Sequence, residues 1–238
     1  MSNKKTVLIC GYGDLGKAVA KKLSENGFTI AVISRTSVQE SDYNFFQGDI
    51  TEFALTAKVI KEIADKFGGI DACVFTSTSE IQRRHVFDLS VEEFKKDFET
   101  TVFGGFNFLN TVAKEMKNRK AGAIVAITTS AIEQNAAHGK MGGYLSAKYA
   151  LRGLLRQLAE ELVSAVVTVN AVAPGFMRTK LNKDVPERMD DFLKEKNPMK
   201  RIVTPEEVAG VVMFLCSDAA KYLTGLSIPV TSGETFQL

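Results

Sequence analysis

Tyr144 and Lys148 stand one helical turn apart in GGYLSAKYALRGLLRQLAEEL, a stretch that reads as a helix. Their phenol and ammonium therefore leave the same face. A phenol with a pKa of about 10 is a poor acid at neutral pH, and a fixed cation beside it favours the phenolate and eases proton transfer. That chemistry suits protonation of an alkoxide formed when hydride adds to a carbonyl. A bare Y-x-x-x-K also arises by accident on helices, so its meaning depends on what surrounds it.

A second group of residues points to a phosphate ligand. The apolar run TVLIC leads into Gly11, Tyr12, Gly13, Asp14, Leu15 and Gly16, a G-x-G-x-x-G that opens a helix. Glycine there permits a tight turn and lets the backbone approach a pyrophosphate held at the positive helix N-terminus. The next strand, FTIAVIS, ends at Ser34 and Arg35, where a carboxylate would grip the ribose 2′-hydroxyl of NAD. Arginine instead suits a 2′-phosphate, so NADP(H) is the expected cofactor. The competing reading of Arg35 is a solvated loop residue.

The elements that must position these groups follow from the hydropathy pattern. Short apolar runs (TVLIC, FTIAVIS, DACVFT, GAIVAITT, VVTVNAV, LSIPVT) alternate with helical stretches along the chain. That alternation predicts an α/β fold, a doubly wound parallel sheet between two helical layers. The 238 residues form one expected domain, 1–238, without linker, repeat or low-complexity block. Residues 176–200, charged and methionine-bearing, break the rhythm and read as a substrate lid.

Composition narrows the function classes. With 24% charged residues and a net charge of +2, no nucleic-acid footprint is expected. No apolar run is long enough for a membrane span, and TVLIC is too short for a signal peptide. Cys10, Cys73 and Cys216 sit in apolar surroundings without metal-ligand spacing, as buried thiols in a reducing compartment would, and no metal is expected. The expected compartment is the cytoplasm.

The chain resembles the short-chain dehydrogenase/reductase family over nearly its whole length, and in its second half the 3-oxoacyl-carrier-protein reductase-like ketoreductases. Tyr144-Leu-Ser-Ala-Lys148 resembles the family's Y-x-x-x-K, and GAIVAITTSA its serine-bearing strand. The run from Val169 through Pro174 and Gly175 to Thr179 resembles the segment bordering the nicotinamide. Asp49 and Ile50 match the position beside the adenine. The resemblance implies a Rossmann-like fold with Tyr144 as general acid. It implies that Lys148 holds the nicotinamide ribose and lowers the Tyr144 pKa. The carbonyl-polarising hydroxyl falls on Thr129 by strand alignment, while counting back from Tyr144 lands on Ala131 with Ser130 as the nearest serine. Ser130 is the first expectation and Thr129 the second. Assembly through two long helices into a homodimer or homotetramer is also implied.

Three departures from the family pattern stand out. The nucleotide turn is one residue short and has Asp14 at its middle glycine, Phe75-Thr76-Ser77-Thr78 replaces N-N-A-G, and Thr101 stands at the relay asparagine. Thr76 is retained as a cofactor-side expectation. The expected pocket walls carry Arg83, Arg84, Lys140, Arg178, Lys180 and Lys183, a basic rim suited to an acidic acyl carrier protein, a phosphopantetheine or a carboxylated substrate, or to solubility alone. His85 and His138 are expected at most to line the pocket. The expected activity is NADPH-dependent reduction of a ketone, such as a 3-oxoacyl thioester. A sugar, polyol or secondary-metabolite dehydrogenase and a non-catalytic cofactor-binding sensor or structural subunit stand as alternatives.

Overall fold

The computed structural model describes residues 4–36, 42–133 and 139–235. Its strands are β1 (Thr6–Cys10), β2 (Thr29–Ser34), β3 (Asn44–Gln47), β4 (Ala72–Phe75), β5 (Gly122–Ile127), β6 (Val167–Pro174) and β7 (Ser227–Val230). They form one sheet in the order β3-β2-β1-β4-β5-β6-β7. Every pairing is parallel. The sheet is covered on both faces, which is why its inner strands are nearly continuous apolar runs. The strand order reverses at β1, which lies between β2 and β4. The C-terminal ends of β1 and β4 therefore diverge into a crevice, the usual ligand position in such sheets.

Helices α1 (Asp14–Glu25) and α7 (Pro205–Cys216) cover one face, packing Val19, Leu23, Val208 and Val212 on Val7, Ile9 and Val74. On the other, α2 (Phe53–Phe67), α4 (Gly105–Arg119) and α5 (Gly142–Leu162) bury Ile60, Phe108 and Leu155 against Leu8, Cys73 and Ile124. All three cysteines are free and buried. No helix among the described residues is long and apolar enough to cross a membrane. The 176–200 segment contains a turn at Lys180–Asn182 and helix α6 (Met189–Lys196).

Two features escape the sequence pattern. Strand β3 is an edge strand of four residues, NFFQ, with polar ends and no apolar run to announce it. The long helical stretch beginning at Val91 is three pieces: α3 (Val91–Phe98), a π-helical segment (Glu99–Gly104) and α4. Wide turns of this kind admit an extra residue into a helix and recur near functional sites.

The junction of α3 with α5 holds an unusual group. Helix α3 is closed locally by a Ser90–Glu93 capping box, whereas α5 has no side-chain cap at Met141. Asp97, only 1% exposed, packs where α5 begins. A Cβ added to Gly143 would lie 1.9 Å from its Oδ2, so the missing side chain makes room for the carboxyl. Neither carboxyl oxygen of Asp97 has a hydrogen-bond partner. Burial pushes this acid up to about 6. Proximity to a helix N-terminus favours the charged form, but desolvation outweighs it.

A carboxyl whose folded pKa exceeds its unfolded value binds more protons when folded. Its stability contribution is therefore intact below the unfolded pKa of about 3.9 and is lost as pH rises through the folded value. Asp97→Asn removes that loss. Thermal denaturation at about pH 8 should show the variant melting a few degrees above the wild type, with the difference shrinking towards about pH 5. A variant no more stable at the higher pH would contradict an ionised, uncompensated Asp97.

Candidate active site

A cavity of about 1480 Å³ opens along the C-terminal edge of the sheet. Each expected site residue lines it: Gly11 to Gly16, Ser34, Arg35, Asp49, Ile50, Thr76, Thr129, Ser130, Tyr144, Lys148, Pro174, Gly175 and Thr179. All but Tyr144 and Lys148, which lie on α5, come from the ends of six strands, β1 to β6, because a parallel sheet brings such ends to one edge. The volume exceeds the roughly 300–1,000 Å³ of a usual small-molecule pocket, leaving room for a dinucleotide and a substrate together.

At the glycine turn the fit to a pyrophosphate can be tested on the backbone. Gly11 has φ +99°, and a Cβ there would meet the Thr76 and Ser77 hydroxyls at 2.7 Å. At Gly16 a Cβ would lie 2.2 Å from the Gly11 carbonyl oxygen, so helix and turn close on each other only without a side chain. Around Gly13, the residue capping α1, nothing lies within 4 Å of such an atom, and no side chain caps the helix. Open space over uncapped helix amides is what a phosphate group requires.

The replaced residues beside this turn have found other work. Thr76 donates its hydroxyl to the carbonyls of Cys10 at 2.9 Å and Gly11 at 3.1 Å, tying β4 to the turn. Asp14 faces the 176–200 segment, where its Oδ2 accepts from the Lys180 backbone N–H at 2.7 Å. At the adenine end Asp49 accepts from both the amide and the hydroxyl of Thr51. Those bonds, with the charge of Arg35, hold its carboxyl below the usual range against the opposing effect of burial. Tyr12 meets Phe45 of β3 edge to face with ring centroids 4.8 Å apart, a contact hidden in the sequence because β3 was.

At the other end of the cavity Tyr144 is 7% exposed and Lys148 is 2% exposed. Lys148 Nζ donates to the Ile127 carbonyl at 2.8 Å and lies 5.7 Å from the Tyr144 ring centroid. Burial pushes the ammonium down to about 7. It pushes the phenol up to about 12, opposed by a hydrogen bond with the Thr129 side chain and the charge of Arg83. Desolvation therefore outweighs the cationic effect anticipated from the Tyr144–Lys148 spacing.

Thr129 is the hydroxyl that draws the Tyr144 pKa down, and it also accepts from the Ala131 N–H at 3.4 Å. Ser130 is buried, lines the same cavity and starts the turn Ser130–Ile132. Thr101 is fully buried, and its Oγ1 lies 3.1 Å from Thr78 Oγ1 and accepts from Ser79 N–H at 3.3 Å. It joins the π-helical segment to the loop after β4. His85 stacks on the exposed Phe87, and His138 lies outside the described residues. Most of the basic rim is paired: Arg83 with Asp184, Arg84 with Glu93, Arg178 with Asp190 and Lys183 with Glu80.

Residues 13–235 match the family described as enoyl-(acyl carrier protein) reductase. The 3-oxoacyl-[acyl-carrier-protein] reductase FabG of Staphylococcus epidermidis is 29% identical over 248 residues, covering 97% of this chain and 98% of the relative. The corresponding reductase MabA of Mycobacterium tuberculosis is 28% identical over 230 residues, covering 96% of this chain and 92% of the relative. Among solved structures, "ElxO with NADP Bound" superimposes with a TM-score of 0.88 at 26% identity, covering 97% of this chain and 98% of that one. Levodione reductase gives 0.88 at 25% identity, covering 97% of both chains.

The buried ammonium supplies a direct check on this geometry. Isotope-labelled lysine followed by NMR should show Lys148 titrating with a midpoint of about 7, against about 10.4 for an ordinary lysine. A midpoint above about 9 would mean that the side chain is solvated rather than enclosed between α5 and β5.

Proposed function

This chain belongs to the short-chain dehydrogenase/reductase family, and from that membership we propose that it is an NADPH-dependent reductase converting a ketone to a secondary alcohol. The observation that carries the reading is the single cavity that joins the glycine turn to Thr129 and to the buried Tyr144 and Lys148. The names of its FabG and MabA relatives support a 3-oxoacyl thioester or a related ketone as substrate.

The cofactor assignment rests on the polar groups along the cavity. The α1 amides behind Gly13 would hold the pyrophosphate and Arg35 the 2′-phosphate, with Asp49 and Ile50 beside the adenine. Lys148, Pro174, Gly175 and Thr179 would border the nicotinamide end. When bound, NADPH supplies the hydride. Within this chain, the Thr129 hydroxyl orients the ketone oxygen and Tyr144 donates a proton to it as alkoxide character develops. A phenol pushed up to about 12 remains protonated at neutral pH, which suits an acid in the reductive direction. Lys148, on the same helix face, tied to Ile127 and pushed down to about 7, is partly charged at neutral pH and can add a positive charge beside the phenol. Ser130 is a second hydroxyl within the cavity, able to adjust the substrate from the neighbouring turn.

The exposed Phe103, Phe106 and Tyr149, on the π-helical segment, α4 and α5, support self-association into a dimer or tetramer. Retention of acid, cation and hydroxyl in one cavity favours turnover over a cofactor-binding sensor.

Tyr144→Phe should bind NADPH as the wild type does, followed by fluorescence titration, while kcat for ketone reduction falls by about 10²–10⁴-fold. Thr129→Val should lower kcat more than Ser130→Ala. Full turnover in Tyr144→Phe would remove the proposed acid. Arg35→Asp should weaken NADPH binding by about tenfold or more through loss of the charge pair and repulsion of the 2′-phosphate; an unchanged NADPH affinity would sink the role given to Arg35.

A further inference from the structure

The substrate end of the cavity contains a masked cation. Arg83, on the loop between β4 and α3, lines the cavity and is close enough to Tyr144 for its charge to draw the phenol pKa down. Its guanidinium does not stand free. Nε lies 2.5 Å from Asp184 Oδ2 as a charge contact, and Nη2 donates to Asn182 Oδ1 at 2.7 Å. Both partners belong to the 176–200 segment, so the arginine is neutralised by the element that closes over it.

Its neighbours show the same economy of charge. Arg178 is paired with Asp190 and also donates to the Val185 carbonyl at 2.7 Å, while Lys183 is paired with Glu80. Lys180 approaches Asp14 through its backbone, at the phosphate end. Lys196, which also lines the cavity, lies over the Phe192 ring at 4.5 Å. Between these groups the wall is apolar, formed by Ile81, Met141, Phe176, Leu181, Val185 and Met189.

We propose, building on the reductase reading above, that this end of the site selects an uncharged, apolar ketone, and that Asp184 is the specificity-determining residue because it withholds Arg83 from anionic substrates. A carboxylate entering beside Arg83 meets a guanidinium already paired and an aspartate of its own sign. It must lose its hydration without gaining a free partner. An apolar chain or ring loses only water from its surface and from that of the wall. Removing the Asp184 charge reverses the balance: Arg83 becomes an unpaired cation in a largely apolar pocket, suited to a carboxylate in a bidentate contact. The same change exposes Tyr144 to a less compensated positive charge.

The test uses a medium-chain oxo acid and its methyl ester, with the carbonyl at the same position, and follows NADPH oxidation. Wild-type kcat/KM should favour the ester by at least about 100-fold, as a like-charge contact in an interface would impose. In Asp184→Asn that preference should shrink by about tenfold or more, chiefly through a lower KM for the acid. The double variant Arg83→Gln/Asp184→Asn should lose the gained acid activity, which mere loosening of the 176–200 segment would not produce. A wild type that prefers the acid overturns the proposal even if Asp184→Asn fails to fold. An unchanged ratio in a folded Asp184→Asn overturns it as well, and so does acid activity that persists in the double variant. Failure to reduce either compound with NADPH bound would refute the reductase reading and this inference with it.

Discussion

The arrangement of the site depends on one hydrogen bond, from the buried Lys148 ammonium to the Ile127 carbonyl at the end of β5. A cation removed from water must find an acceptor, and a strand's last carbonyl is well placed to be one. The bond fastens α5 to the sheet edge at a fixed height. Tyr144 is then one helical turn towards the cavity, and Thr129, two residues beyond Ile127 in the chain, is brought to the phenol. Three functional groups from two elements are thus placed by a single contact between a helix and a strand. Burial has an electrostatic consequence too, because the ammonium and the phenol are both displaced towards their neutral forms.

At the cofactor end, substitutions relative to the family pattern have become new structural ties. A glycine turn needs bracing, because its glycines contribute no side chains to packing. Thr76 supplies the brace by hydrogen-bonding the turn's own carbonyls, and the Cβ positions blocked at Gly11 and Gly16 show how closely the pieces meet. Asp14 joins the same turn to the 176–200 segment through Lys180. The phosphate end and the substrate end are therefore mechanically connected, although distant in sequence.

What the sequence made legible was whatever a regular period or a local motif encodes. The inner strands are buried on both faces and advertise themselves as apolar runs, and the glycine turn and Y-x-x-x-K are short enough to read directly. Strand β3 was hidden because four residues with polar ends at a sheet edge leave no such run. The choice between Ser130 and Thr129 was not decidable by counting, since the loop between β5 and α5 breaks any fixed spacing to Tyr144. Thr129 is still extended and its hydroxyl acts on the phenol pKa, whereas Ser130 begins a turn. Asp97 was more deeply hidden: in VEEFKKDF it looks like one charge among many on a solvated face, and only the bare Gly143 of another helix makes its burial feasible.

The basic rim illustrates why counts of charge are poor guides to ligands. Six cations near a pocket suggest an acidic guest, yet a cation's influence depends on whether a carboxylate already compensates it. Arg83, Arg84, Arg178 and Lys183 each have such a carboxylate, and those of Arg83 and Arg178 lie within the 176–200 segment itself. The 176–200 segment therefore carries the counter-charge for Arg83 as well as for its own Arg178. An arrangement that separated Asp184 from Arg83 would expose a cation beside the reacting end of the cavity. The charge met by a substrate at that end is thus set by one pair of side chains.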